Sequence, residues 1–202
     1  AVISIDLDAR VARTPQREIQ YEAILSSAPI NRLMDLCGVS YDPEVYNWNK
    51  VLVFNMGFDR KGLEGVNWVY YPDTEVSFYR VGFYDNIFGT DRMSIYVELG
   101  YPRDAVIDEA EVERMRLRVL EDLKKVGVVD EHELVSWHSV TLDPAYVHIT
   151  RDSIDDVAKK RAMLAERGVH SLGRYGGWTY CAIEDNIVEA RELADRFNAE
   201  QA

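Results

Sequence analysis

Two stretches hold the residues whose types and spacing could do chemistry. Leu172–Tyr180 places three glycines, two tyrosines, a tryptophan and an arginine within nine residues, and Glu184-Asp185-Asn186 follows at the start of an expected helix. Glycine permits a positive φ or a close approach of the backbone to a ligand. A helix beginning at about Ile183 would aim its open N–H groups and positive dipole end back at the turn, where an anion sits well. The stretch therefore reads as a binding turn; the alternative is a surface turn whose aromatics cover the core. The second stretch is Phe78-Tyr79-Arg80 on an aromatic strand. An arginine fork matches phosphate or pyrophosphate oxygens, and tyrosine hydroxyls complete such sites. Arginine on such a strand can equally cover apolar surface with its stem.

Other chemistries find no pattern. The chain has no G-x-G-x-x-G and no G-x-x-x-x-G-K-[ST], so it carries neither a dinucleotide fold of its own nor a P-loop. His132, His138, His148 and His170 share no close ligand spacing, which argues against a metal site, and there is no G-x-S-x-G elbow. Asp155-Asp156 is explained by a helix start alone. No residue is nominated as catalytic.

The elements that must position these residues read as a mixed α/β chain of the α+β type, with a central, mostly antiparallel sheet and helices. Short strands are expected at Val2–Leu7, Arg10–Arg13 and Glu18–Ser26, then a short helix after Pro29 with Ile30, Leu33 and Met34 on one face, ending at Gly38. Longer aromatic strands follow at Lys50–Phe58, Val66–Tyr71, Ser77–Asn86 and Met93–Leu99. Their aromatic residues are too many for one core face, so one sheet face is expected to line a cavity or meet another domain. Asp108 and Glu111 make a capping-box pattern before a helix whose buried face is Val112, Met115, Val119, Leu123 and Val126, stopped by Gly127. A strand over Glu133–Leu142 is expected to break at Asp143-Pro144 before Ala145–Ile149. A helix over Ser153–Arg167 capped by Asp152 or Ser153, a strand at Val169–Leu172, and a terminal helix with Ile183, Ile187, Ala190, Ala194 and Phe197 on one face complete the chain.

Composition narrows the class. The 202 residues are 47% hydrophobic, enough for a real core, and the net charge of −12 opposes nucleic-acid binding and adsorption on anionic membranes. Only Cys37 and Cys181 are present, which favours a reducing, cytoplasmic setting over a disulfide framework. No apolar run reaches the roughly 18 residues of a membrane span. The opening, Ala1 directly into an alternating strand, suggests a chain that begins inside a larger fold.

In order along the chain, Asn67-Trp68-Val69-Tyr70-Tyr71-Pro72-Asp73, Phe78-Tyr79-Arg80 and Gly173-Arg174-Tyr175-Gly176-Gly177-Trp178-Thr179-Tyr180 resemble the W-x-Y-[FY]-P-[ED], F-Y-R and G-R-[FY]-G-x-W-x-Y series of UDP-galactopyranose mutase-like flavoproteins. These lie within the amine oxidase and protoporphyrinogen oxidase superfamily. Tyr21–Pro29 is similar to that superfamily's Y-D-x-L-I-S-T-x-P strand. The sequence departs from the mutases after Tyr180, where Glu184 stands in place of an amide and would repel a diphosphate that faced it.

The resemblance implies the C-terminal half of an FAD enzyme. Residues 1–38 would be partial FAD-domain strands and a short helix, 39–150 a substrate-domain sheet with one long helix, and 151–202 the return to the FAD domain. It implies substrate binding by Trp68, Tyr70, Arg80, Tyr146 and Tyr180, with Arg80 on a diphosphate, and cofactor contact by Gly173, Arg174, Gly176 and Trp178. FAD would be held by the parent, through an N-terminal half that carries the Gly-rich motif, and not by this chain alone, which would be inactive. The substrate would be a small molecule such as a nucleotide sugar used in polysaccharide synthesis. The alternatives are a flavin oxidoreductase acting on an amine or a carbon–carbon bond, and a non-catalytic binding domain.

Overall fold

The alternation at the N-terminus folds as four three-residue strands in a computed structural model that describes residues 1–200. These are β1 (Ser4–Asp6), β2 (Val11–Arg13), β3 (Glu18–Gln20) and β4 (Ile24–Ser26). The expected single strand over Glu18–Ser26 is broken, because Tyr21 buries its ring while its N–H closes on Arg10 O. Its two halves enter different sheets. β3 extends the antiparallel β1-β2-β3 sheet, whereas β4 pairs in parallel with a strand near the other end of the sequence. Helix α1 (Ile30–Leu36) opens after Pro29, buries Ile30, Leu33 and Met34, and is followed by Gly38 at φ +64°.

Next comes a five-stranded sheet built from β5 (Trp48–Phe58), β6 (Trp68–Tyr70), β7 (Arg80–Phe83), β8 (Ser94–Pro102) and β9 (Leu134–Val147), in the order β6-β7-β8-β5-β9. The β6-β7, β7-β8 and β8-β5 pairs are antiparallel. Two expectations fail here. Ser77–Asn86 is not one strand: after Phe83 the chain turns into α2 (Tyr84–Phe88), whose buried Asp85 accepts from Ser94 N and pairs with Lys61 at 2.6 Å. A buried carboxylate needs such partners, and a continued strand could not place it among them. Nor does Asp143-Pro144 end β9, which runs on to Val147 through a cis peptide.

Helix α3 (Glu109–Lys125) packs on one sheet face through Met115, Val119 and Leu123, against Leu52, Phe54, Val81, Val97 and Leu99. Asp108 caps it by accepting from Glu111 N at 2.8 Å. Glu111 does not reciprocate as a capping box would; its carboxylate binds Tyr101 Oη and Arg114. Most other charged residues of the helix face solvent, as amphipathic spacing requires, but Asp122 is buried and accepts from Ser77 N at 2.8 Å.

Three helices and a strand complete the fold: α4 (Arg151–Glu166), β10 (Val169–Ser171), α5 (Gly173–Gly176) and α6 (Ile183–Glu200). Thr150, not Asp152 or Ser153, caps α4, and Ser153 returns the bond to Thr150 N as a capping box. The expected apolar face of α6 is largely outward: Ile183 is 82% and Ile187 64% exposed. The inward residues are Asn186, Glu189, Leu193 and Phe197. Two side chains set this rotation. Asn186 Oδ1 accepts from Arg174 N at 2.9 Å and Glu189 Oε2 from Gly173 N at 2.7 Å. Leaving those two donors unmet would cost about 1–3 kcal/mol each, comparable to burying one isoleucine.

The chain divides into two compact units, residues 1–47 with 146–202, and residues 48–145. The first has its own core around Ile5, Ala12, Tyr21, Leu33, Leu164 and Val169, and the second holds the sheet–α3 core. The terminal segments of the chain thus join into one body, with β4 and β10 as its parallel pair.

Candidate functional site

The nominated residues fall into two clusters, one in each unit. In the sheet unit, pairing places Tyr70 opposite Arg80 and Arg80 opposite Glu98, while Trp68 faces Gly82 and Gly82 faces Tyr96. Successive strand residues alternate between faces. Val69, Val81, Val97 and Ile95 therefore turn to α3, and Trp68, Tyr70, Arg80, Tyr96 and Glu98 share the opposite face. The crowded aromatic residues divide accordingly. Tyr71, Phe78 and Phe83 pack in the core, while Trp68 and Tyr70 are 54% and 59% exposed.

Glu98 organises this face. Its buried carboxylate accepts from Tyr79 Oη at 2.5 Å and forms an ion pair with Arg80 Nη2. Arg80 Nη1 donates to Tyr70 Oη at 3.2 Å, and the guanidinium carbon stands 5.7 Å from the centroids of both the Tyr70 and the Tyr96 rings. The fork is thereby held between two phenols with one edge committed to a carboxylate. Burial pushes the Tyr96 hydroxyl pKa up, against the opposing pull of Arg80. Gly82 is required here for space: a Cβ would lie 2.0 Å from the Tyr96 ring, which covers the strand at that point.

In the other unit, Arg174 lies across Tyr146 and Tyr180, with its guanidinium carbon 5.1 Å and 4.6 Å from their centroids. The two rings stack at 6.4 Å and 23°. Among the described residues Arg174 forms no ion pair, and Tyr180 is 70% exposed. This guanidinium keeps its charge available, whereas that of Arg80 is neutralised.

The glycine-rich stretch itself is a single helical turn whose first two backbone donors, Gly173 N and Arg174 N, are already taken. Glu189 sits on Gly173 N and also holds Arg161 at 2.6 Å, occupying the place a bound anion was expected to take. At the start of α6, Asp185 accepts from Ala182 N at 2.7 Å. Internal packing accounts for the glycines. Gly173 has φ +79°, and a Cβ on Gly176 would meet Ser171 Oγ at 2.7 Å. Trp178 is 2% exposed and edge-on to Tyr46, whose hydroxyl donates to Asp156 at 2.7 Å. Its φ of +48° is unusual for a bulky residue and is held by that packing.

Glu98, Tyr79, Tyr96, Asn186 and Glu189 were not nominated from sequence. Two signals pointed to the first group: a charge inside the apolar run Ile95–Leu99, and a glycine inside a strand. A separate cleft of about 340 Å³ between α4 and α6 is lined by Arg161, His170, Glu189 and Arg196. Among the described residues no group of three or more His, Cys, Asp or Glu side chains could hold a metal ion, and no helix is long and apolar enough to cross a membrane.

The sequence matches no family model and no curated protein. The fold does match solved structures. Against reduced UDP-galactopyranose mutase the TM-score is 0.75 at 18% identity, covering 89% of this chain and 41% of that one. Against a putative protoporphyrinogen oxidase from Exiguobacterium sp. 255-15 it is 0.75 at 17% identity, covering 96% and 45%. Against a CLA-producing fatty acid isomerase from P. acnes it is 0.66 at 14% identity, covering 97% and 47%. The chain spans less than half the length of each. At these identities the likeness is one of fold, and it agrees with the mixed α/β class and with the protein families that the sequence motifs resemble.

Proposed function

We propose that this chain forms part of an FAD-dependent enzyme, in which the Trp68–Tyr70–Arg80 sheet face receives a small-molecule substrate and the Arg174 cluster faces the flavin. The observation that carries the reading is the pair of exposed aromatic–arginine clusters on a fold shared with a UDP-galactopyranose mutase and a putative protoporphyrinogen oxidase. The aromatic and arginine side chains of both clusters suit binding and orientation beside a cofactor that carries the chemistry.

The residues present fit one wall of a flavin site only. Arg174, Tyr146 and Tyr180 offer a charge without an acid partner and two ring faces. Gly173 and Gly176 make no pyrophosphate cradle, since Glu189 and Asn186 hold the local N–H groups and a Cβ on Gly176 would meet this unit's own atoms. FAD would therefore be gripped by residues outside these 202, and the chain alone would be inactive. Trp178 would support that wall from beneath rather than touch the ring. When bound, the flavin would supply the redox or nucleophilic chemistry. This chain's groups would orient the substrate and exclude water.

A nucleotide sugar is the leading substrate, acted on in a cytoplasmic setting that sparse, unpaired cysteines suit. A flavin oxidoreductase is the second reading, favoured by the equal TM-score to the putative protoporphyrinogen oxidase. The full gene product, reduced and given UDP-galactopyranose, should yield the ring-contracted isomer under the first reading. Peroxide formed from amines in air, with no isomer, would replace it with the second.

A further inference from the structure

The sheet face carries a charge balance that motif spacing could not reveal. Its registered residues are Val51, Val53, Asn55 and Gly57 on β5, Trp68 and Tyr70 on β6, Arg80 and Gly82 on β7, and Ser94, Tyr96, Glu98 and Gly100 on β8. Among these residues of β5 to β8, Arg80 and Glu98 are the only charged ones, and they neutralise one another. A diphosphate that approached Arg80 would meet a guanidinium already paired with Glu98, so the nearby buried carboxylate would oppose the anion through like-charge repulsion and desolvation.

What the face does present is flat and uncharged. The Tyr96 ring lies over Gly82, and Trp68 is the cross-strand neighbour on the other side of that glycine. Tyr84 braces Tyr96 at 5.1 Å, and the exposed Tyr70 ring borders the row. Aromatic side chains without a net charge favour a planar ring bound by stacking, with fixed hydroxyls for its polar edge.

From this we infer that the sheet face recognises an uncharged planar ring, such as a nucleobase, and that Glu98 sets this preference by neutralising and fixing Arg80. The inference rests on the substrate role proposed above for this face. It departs from the diphosphate role that the motif resemblance gives Arg80. Glu98 touches no ligand; it is a positioning residue that acts through Arg80 and Tyr79.

The 202-residue chain is titrated with uridine and with UDP, following the Trp68 indole N–H resonance, assigned by Trp68→Phe. Uridine should bind at least as tightly as UDP. Added salt should leave UDP binding flat or tighten it, because the chain's net charge of −12 repels the anion at low salt. Glu98→Gln should leave uridine within about twofold and tighten UDP by about tenfold, with a salt dependence the wild type lacks. Should that variant fail to fold, the wild-type uridine-to-UDP ratio and its salt response decide the matter. UDP binding about tenfold tighter than uridine and weakened by salt would overturn this inference and leave the substrate role of the face standing. No response of Trp68 to either probe would overturn both.

Discussion

Replacing Arg80 by methionine keeps much of the side chain's length but leaves Glu98 buried with only Tyr79 as a partner. Breaking one side of a fully buried ion pair costs about 3–5 kcal/mol. The Arg80 side chain is 23% exposed and that of Glu98 10%, so solvent relieves part of the penalty and about 2–3 kcal/mol is expected. Glu98→Leu should cost about 2 kcal/mol, since Arg80 retains some access to water but Tyr79 Oη loses its acceptor. The double variant removes both charges and should lie within about 1 kcal/mol of wild type, leaving a coupling of about 3 kcal/mol. Urea unfolding followed by tryptophan fluorescence measures all four proteins, and each single variant should lower the midpoint by roughly 1 M. Costs below about 0.5 kcal/mol for Arg80→Met, or additive effects in the double variant, would refute the ion pair as the organiser of the face.

Two further outcomes follow from particular contacts. Burial raises the Asp122 carboxyl pKa, but hydrogen bonds from Ser77 and Arg118 outweigh it and hold the group below its ordinary 3.8. A folded pKa below the unfolded one means that the stability Asp122 contributes is present above the unfolded value and lost as pH falls through the lowered one. Asp122→Asn should therefore flatten the acid limb of the melting temperature between about pH 4 and 2, and an unchanged slope would contradict the assignment. Glu189→Ala should free Gly173 N–H and Arg161, costing about 1–3 kcal/mol locally and speeding amide exchange at Gly173, where unaltered exchange would show that another group holds the turn.

Periodicity read the elements well where one face is buried without competition. Helix α3 and strands β5 and β8 follow their apolar spacing because the sheet–helix core accepts it. Helix α6 shows why the same rule can fail. Its isoleucines form the more regular stripe, yet polar Asn186 and Glu189 turn inward because the N–H groups of Gly173 and Arg174 need acceptors. Such bonds join residues 12 to 16 positions apart and leave no periodic trace. The break at Tyr21–Ala23 and the turn into α2 were hidden for a related reason: each depends on a partner strand or lysine remote in sequence.

The candidate site was half legible. Residue type and local clustering pointed to Arg80, Arg174 and Tyr180, and the motif resemblance added Trp68 and Tyr70. Whether each arginine keeps its charge depends on its packing: register places Glu98 beside Arg80, and among the described residues Arg174 forms no ion pair. The glycines illustrate the converse. They suggested close approach to a ligand, but at Gly82 and Gly176 the close neighbour is the protein itself.

The visible absorption spectrum of the purified full gene product tests the central claim most directly. A flavin-side role for the Arg174 cluster predicts a yellow protein with about one flavin per chain, and an Arg174→Ala variant that folds but shows a shifted flavin band and reduced flavin retention. A full gene product that binds no flavin when supplied with FAD would contradict the account, as would a variant with the same spectrum and the same retention as wild type.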